Sequence, residues 1–262
     1  MSTKLVNLGY YRFFPLAKEI SPLPELRVRL RTLCEELRIK GTILLAEEGI
    51  NVMMSGTRES IDAFKQFSRE HLGIQDRLFK ESLVEEDSFK GLWIRIKKEI
   101  ISVGDPEIRP DLKTAPRLSP AEMKQWLDER RPMILLDTRN DYEYQVGTFE
   151  GAVEMGLDCS RDFTKKAAEN VEKWKGVPVV TFCTGGIRCE KASAALMKLG
   201  LNEVYQLDGG IVRYLEENGS AHFRGTCFVF DRRKAVDGAL SSVPRSDDPN
   251  QSFGRYRQNN KN

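Results

Sequence analysis

The passage VPVVTFCTGGIRCEKASAALMKLG, residues 177–200, constrains the fold more than any other stretch of the chain. Its opening run is apolar and rich in β-branched residues, which suits a strand buried on both faces. Two glycines follow almost at once, and then a run of good helix formers. A strand covered on both sides, feeding a helix through a short loop, belongs in a parallel sheet with helices on each face. The rest of the second half repeats this alternation. The helical AEMKQWLDER (121–130), the strand MILLDTR (133–139), the helical KKAAENVEKWK (165–175), the short strand VYQLDGG (204–210) and IVRYLEENG (211–219) follow in turn. In open sheets of this kind the ligand crevice lies outside the carboxyl ends of the strands. Cys183 ends one strand, and Asp137 and Arg139 end another.

The first hundred residues have a different rhythm. LVNLGYYRFF (5–14) reads as a strand, and LPELRVRLRTLCEELRI (23–39) carries a helical stripe of Leu26, Leu30, Leu33 and Leu37. GTILLA and INVMMSG flank Glu47-Glu48-Gly49, a hairpin pattern. Thr57 offers an N-cap to the helix RESIDAFKQFSREHLG, with Ile61, Phe64 and Phe67 on one face. LFKESLV and LWIRIKKEI are expected to close the sheet. The order β-α-β-β-α-β is the ferredoxin-like pattern, a fold that names no function by itself.

Between the halves, GDPEIRPDLKTAPRLSP (104–120) has four prolines and no apolar period, so a linker is expected. Ser119, Pro120 and Glu122 then form a strong helix start. The expected division is a ferredoxin-like domain at 1–103, a linker at 104–117, a parallel α/β domain at 118–223 and an extension at 224–262. The α/β domain is expected to hold its own core. The extension ends in the polar SSVPRSDDPNQSFGRYRQNNKN and is expected to be partly disordered.

Composition excludes some function classes. A chain of 262 residues is comfortable for two domains, and its net charge of +2 does not by itself announce nucleic acid. No apolar run approaches the roughly 18 residues of a membrane helix. The N-terminus lacks the layout of a signal peptide, so a cytoplasmic protein is expected. Five cysteines, an odd number thinly spread and without CxxC spacing, argue against a disulfide framework, a zinc site or a thioredoxin-like centre. No flavin motif is present either, and the sequence leaves the oligomeric state open.

The loop CTGGIRC holds the chemistry. Gly185 and Gly186 let the backbone turn its N–H groups inward, and the helix that begins next aims its positive dipole end at the same space. This is an anion cradle. A thiol at its rim has a depressed pKa and reacts as thiolate. Arg188 adds a positive charge that orients the loop or binds an anion; the plain alternative is a solvated charge in the first turn. Cys189 is expected to point elsewhere and to be a core residue. Asp137 and Arg139 either face substrate or pair with each other. The only histidines, His71 and His222, stand where neither makes a convincing general base.

A C-x-x-x-x-R loop between strand and helix resembles the active loop of rhodanese-like domains, which carry a persulfide on the cysteine. Phosphatases with a related loop use one residue more, sized for phosphate. LLDTR, Glu143, GTFEGA and LDGGIVRYLEENG are also similar to rhodanese features, although Thr148-Phe149-Glu150 replaces the usual histidine-isoleucine-proline. Four collinear motifs narrow the resemblance: KGTILLAEEGIN (40–51), YEYQVGTFEGA (142–152), TFCTGGIRCEKASA (181–194) and GTCFVFDRR (225–233). Together they resemble the rhodanese-like tRNA uridine(34) hydroxylase family from residue 5 to about 235. Many relatives continue into a cysteine-rich segment, whereas this chain has no cysteine after Cys227.

The resemblance implies a ferredoxin-like (acylphosphatase-like) α+β domain followed by a rhodanese-like parallel α/β domain. It implies hydroxylation of the wobble uridine of tRNA to 5-hydroxyuridine, with molecular oxygen as co-substrate. Cys183 would be the catalytic residue, in a loop of Thr184, Gly185, Gly186, Ile187 and Arg188. Two roles stay open for it: a persulfide carrier, or a thiolate that adds to C6 of uracil and enriches C5. Persulfide sulfur transfer is the rival activity, and a non-catalytic RNA-binding module is a third reading. The first domain would face tRNA through Arg95, Lys97 and Lys98. Arg109, Lys113 and Arg117 add charge along the linker, and Tyr10, Tyr11, Phe13 and Phe14 are candidates to stack bases.

Overall fold

The computed structural model describes residues 4–243, so SDDPNQSFGRYRQNNKN, expected to be disordered, lies outside the described residues. The chain divides into two compact units. One comprises Met1–Ser102 with Arg109–Lys113, and the other Val103–Ile108 with Thr114–Asn262. The stretch expected to be a plain linker is therefore shared between them.

The first unit runs β1 (Leu5–Phe13), α1 (Leu16–Glu19), α2 (Leu23–Glu36), β2 (Lys40–Ala46), β3 (Gly49–Gly56), α3 (Arg58–Leu72), β4 (Lys80–Val84) and β5 (Leu92–Ile96). Its sheet has the order β4-β1-β3-β2-β5. The first four strands are the ferredoxin-like arrangement, and β5 adds to the free edge of β2 in parallel. Thr57 caps α3 by accepting from the Ser60 N–H, and Gly73 ends it in the left-handed region at φ 61°. The leucine stripe of α2 and the Ile61–Phe64 face of α3 cover one side of the sheet. They pack on Val6, Leu8, Tyr10, Ile43, Leu45, Ile50, Val52, Met54 and Ile94.

The second unit runs β6 (Arg117–Leu118), α4 (Pro120–Asp128), β7 (Ile134–Asp137), α5 (Asp141–Tyr144), β8 (Gly147–Phe149), α6 (Phe163–Asn170), β9 (Val179–Phe182), α7 (Ile187–Lys198), β10 (Val204–Leu207), α8 (Gly210–Asn218), β11 (Phe223–Gly225), β12 (Cys227–Phe228) and β13 (Ala235–Val236). Ser119 and Glu122 close the expected capping box at the start of α4. The sheet β6-β10-β9-β7 is parallel throughout. Alternate strand residues feed two cores. Leu136, Val179 and Val204 pack with α6 and α7 on one side. Leu135, Val180, Phe182 and Leu207 pack with α4 and α8 on the other.

Within the extension, residues 224–243 form short strands that sequence reading did not foresee. β11 pairs antiparallel with β8, and β12 with β13. Cys227, Val229 and Val236 join the core that holds Phe149, Phe182 and Tyr214. The segment lacks a long hydrophobic period because it makes short strands, each pinned by one or two buried side chains.

Candidate active site

Cys183 follows directly on β9, where the strand leaves the sheet, and is fully buried. Gly186 takes φ 95°, a left-handed conformation open mainly to glycine, and this turns its N–H onto the Cys183 Sγ at 3.1 Å. The loop is held from behind by α8: the Ile211 N–H donates to the Cys183 carbonyl at 2.9 Å and the Val212 N–H to the Thr184 carbonyl at 3.1 Å. Gly210 makes this approach possible. A Cβ there would sit 2.5 Å from the Cys183 oxygen and 2.7 Å from the Thr184 oxygen. Beside Gly185, by contrast, a Cβ would meet nothing within 4 Å, so the cradle has open space on that side.

Burial by itself raises the Cys183 thiol. A hydrogen bond with Cys189, the Arg188 charge and the N–H groups of Arg188 and Gly186 outweigh it, and hold the group well below the ordinary thiol range. Cys189 moves the other way: burial and its hydrogen bond to Cys183 push it well above that range. In this pair Cys189 is the donor and the Cys183 sulfur the acceptor. Cys189 therefore does not point elsewhere as expected. From the first turn of α7 it reaches back to Cys183 on one side and lies 3.8 Å from the Thr138 hydroxyl on the other.

Arg188 is not a solvated charge. It is buried and forms a two-pronged pair with Glu143 of α5, at 2.6 and 2.7 Å. Glu143 itself caps α5, accepting from the Asn140 N–H. Asp137 and Arg139 follow their plainer alternative, an ion pair. The Arg139 Nη2 lies 2.7 Å from Asp137 and also donates to the Gly147 carbonyl, and the Thr148 hydroxyl donates to Asp137. Both residues are about 1% exposed, so they brace the loops.

The late segment completes the site. The Thr184 hydroxyl donates to the Phe228 carbonyl at 3.3 Å, Phe230 lies under the Arg188 guanidinium at 5.6 Å, and Tyr142 packs edge-on against Phe228 at 5.3 Å. Sequence reading missed the roles of Gly210, Phe228 and Phe230. The signals were LDGGIVRYLEENG and GTCFVFDRR, which resemble family motifs without announcing their contacts. His222 bonds Asp128 and His71 stacks on Phe67, so neither touches Cys183 in the contacts found. Among the described residues no group of three or more His, Cys, Asp or Glu is placed to hold a metal ion.

The candidates of the first unit sort by strand parity. Tyr10 and Phe14 are core residues, at 3% exposure each, and so are removed from any stacking role. Arg95, Lys97 and Lys98 are exposed. Of the charges between the halves, Arg117 pairs with Glu190 and Asp208, and Arg109 with Asp111.

Residues 5–100 match the model of the UPF0176 acylphosphatase-like domain, and residues 119–217 that of the rhodanese-like domain. The chain is 46% identical over 242 residues to the tRNA uridine(34) hydroxylase of Cupriavidus taiwanensis, spanning 90% of this chain and 84% of that one. With the enzyme of the same name from Thiobacillus denitrificans it shares 44% identity, over 91% of this chain and 97% of the relative. The chain belongs to the tRNA uridine(34) hydroxylase family. Within that family the match runs through both units, so the Cys183 cradle stands in a chain that is similar to these hydroxylases along nearly its whole length.

Proposed function

We propose that this chain hydroxylates uridine 34 of tRNA at C5, yielding 5-hydroxyuridine, with Cys183 as its catalytic residue. The observation that carries the reading is a buried cysteine whose sulfur accepts the Gly186 N–H at 3.1 Å, and whose ionisation the Arg188 charge and a neighbouring thiol favour, in a member of this hydroxylase family. Such a thiolate suits either role open to it. As a nucleophile it adds to C6 of uracil, breaks the C5=C6 double bond and leaves C5 electron-rich, ready to take oxygen. As a persulfide carrier it holds a sulfane sulfur in the same cradle. Molecular oxygen is the co-substrate in this reading: one atom enters C5, the other leaves as water, and a reductant supplies two electrons. The reaction belongs in the cytoplasm, with its tRNA substrate.

The chain's own residues have definite tasks. Gly186 and Arg188 stabilise negative charge on the sulfur, and Cys189 donates its own S–H to it. Glu143 fixes the Arg188 plane. Arg139 and Asp137 brace the neighbouring loop.

The match of residues 119–217 to the rhodanese-like domain favours one second reading, persulfide sulfur transfer. Nucleoside mass spectrometry separates the two. tRNA from a strain lacking the gene should regain 5-hydroxyuridine with the wild-type chain and not with Cys183→Ser. Thiocyanate formation from thiosulfate and cyanide, with no change in tRNA nucleosides, would install sulfur transfer instead.

A further inference from the structure

Placing one atom of O2 on C5 and sending the other into water takes four electrons. The uridine C–H bond gives two of them, and the other two need a donor. A second sulfur stands beside the first. Cys189 lies in the first turn of α7, and its side chain donates to the Cys183 sulfur. Two further sets of contacts hold the cysteines together. Gly186 binds both: its N–H lies 3.1 Å from the Cys183 sulfur, and its carbonyl accepts the Cys189 N–H at 3.1 Å. On the other side, the Cys189 sulfur lies 3.8 Å from the Thr138 hydroxyl. That hydroxyl donates at 3.0 Å to the Phe182 carbonyl, the peptide group that leads into Cys183. Both cysteines are 0% exposed.

A thiolate in contact with a thiol is the pairing that thiol–disulfide chemistry uses, in which one sulfur attacks and the other is attacked. A core role for Cys189 needs only its volume. It does not need the sulfur turned toward a reactive one.

We propose that Cys183 and Cys189 are the electron source of the hydroxylation: in each turnover the two thiols close to a disulfide and deliver two electrons to oxygen. The inference rests on the hydroxylase reading, with Cys183 as the nucleophile at C6, and names its reductant. The steps balance. Cys183 forms the S–C6 bond, and the electron pair left on C5 goes to O2. With one proton taken up, C5 carries a hydroperoxide. It grows on the carbon next to the one that Cys183 holds, so a sulfur in contact with Cys183 is within its reach. The Cys189 sulfur attacks the terminal oxygen and the O–O bond breaks. C5 keeps a hydroxyl, and Cys189 becomes a sulfenic acid. C5 then loses its hydrogen as a proton, the S–C6 bond breaks, and the pair of that bond returns to Cys183. The Cys183 thiolate attacks the sulfenic sulfur, the S–S bond forms, and hydroxide leaves to become water. In sum, uridine, O2 and two thiols give 5-hydroxyuridine, water and a disulfide. An external dithiol reopens the bridge by exchange.

The test uses the full-length protein, fully reduced, freed of reductant and mixed in air with a tRNA transcript bearing unmodified U34. Wild type should form 5-hydroxyuridine in a burst that stops at about one per chain, because the pair holds two electrons. Two thiols should be lost for each nucleoside made. Trypsin cuts after Lys175, Arg188 and Lys191, so mass spectrometry should find residues 176–188 bridged to 189–191. Dithiothreitol should restore turnover. Cys189→Ser keeps a hydroxyl donor beside Cys183 and removes only the second sulfur. It should lose the burst and still label at Cys183 with iodoacetamide at pH 6.5, which shows the cradle folded. A burst retained by Cys189→Ser overturns the proposal, because Cys189 would then only position its neighbour. Bridging at the same rate without tRNA also overturns it. 5-Hydroxyuridine made by wild type with both thiols intact removes the inference and leaves the hydroxylase standing. Wild type that makes none even with dithiothreitol removes the hydroxylase reading itself, and the inference with it.

Discussion

Cys183 and Cys189 have the same side chain and opposite chemistry. Both are buried, and burial raises both. What separates them is that Cys183 sits under the N–H groups of the cradle and near Arg188, whereas Cys189 is the donor in the bond between the two sulfurs. Cys34 and Cys227, buried without such a cradle, are pushed up to about 12. Cys159 is exposed, so a Cys159→Ser background clears the comparison. There, iodoacetamide at pH 6.5 should label Cys183 ahead of Cys34 and Cys227, read by peptide mass mapping. Cys189→Ala should move the Cys183 reaction profile to higher pH, because the donated hydrogen is lost; Cys189→Ser, which keeps an O–H, should stay closer to wild type. Stability follows the same logic. A thiol lowered in the folded state contributes stability that is complete above the unfolded value near ~8.5 and fades as pH falls toward the folded one. The urea midpoint of wild type should therefore rise against that of Cys183→Ser as pH goes from 6 to 8. Thiols raised to about 12 act in the opposite window and lose their contribution as pH climbs past ~8.5.

The strand–loop–helix unit of β9 and α7 does not hold its shape alone. α8 supplies two N–H donors from behind, and α5 supplies Glu143 for Arg188. Removing one partner of a buried ion pair leaves a charge stranded. Glu143→Ala should therefore cost about 3–5 kcal/mol in urea unfolding, while Glu143→Gln with Arg188→Met should cost less. Gly210→Ala asks a Cβ to enter the space of the Cys183 and Thr184 carbonyls, at φ 69°. The backbone strain alone is about 1–3 kcal/mol. Activity should fall further than stability, because the displaced atoms belong to the cradle. 5-Hydroxyuridine yield at matched protein level tests this; full yield in a stable Gly210→Ala protein would show that α8 does not position the loop.

At the scale of the molecule, the second unit needs the chain beyond Phe223. Residues 224–243 close β8 with β11, fill the α4–α8 core with Cys227, Val229 and Val236, and bring Phe228 and Phe230 to the thiolate loop. Truncating the full chain after Phe223 should abolish the fast labelling of Cys183 and lower the thermal midpoint sharply.

The local grammar of this protein was open to sequence reading. β-Branched apolar runs, a leucine stripe, Thr57 and Ser119 as caps, and glycines at a strand-to-helix turn each act within a few residues, so they identify strands, helices, both sheets and the cysteine cradle. Only the tertiary structure decided which charges would be buried, because that depends on partners far along the chain. Arg188 meets Glu143 across 45 positions, Thr184 meets Phe228 across 44, and Gly210 serves a loop that begins at Cys183. The same holds for the aromatics of β1. Period-two alternation said that Tyr10 and Tyr11 face opposite ways, but the helices packed on the Tyr10 side decided which of them would enter the core.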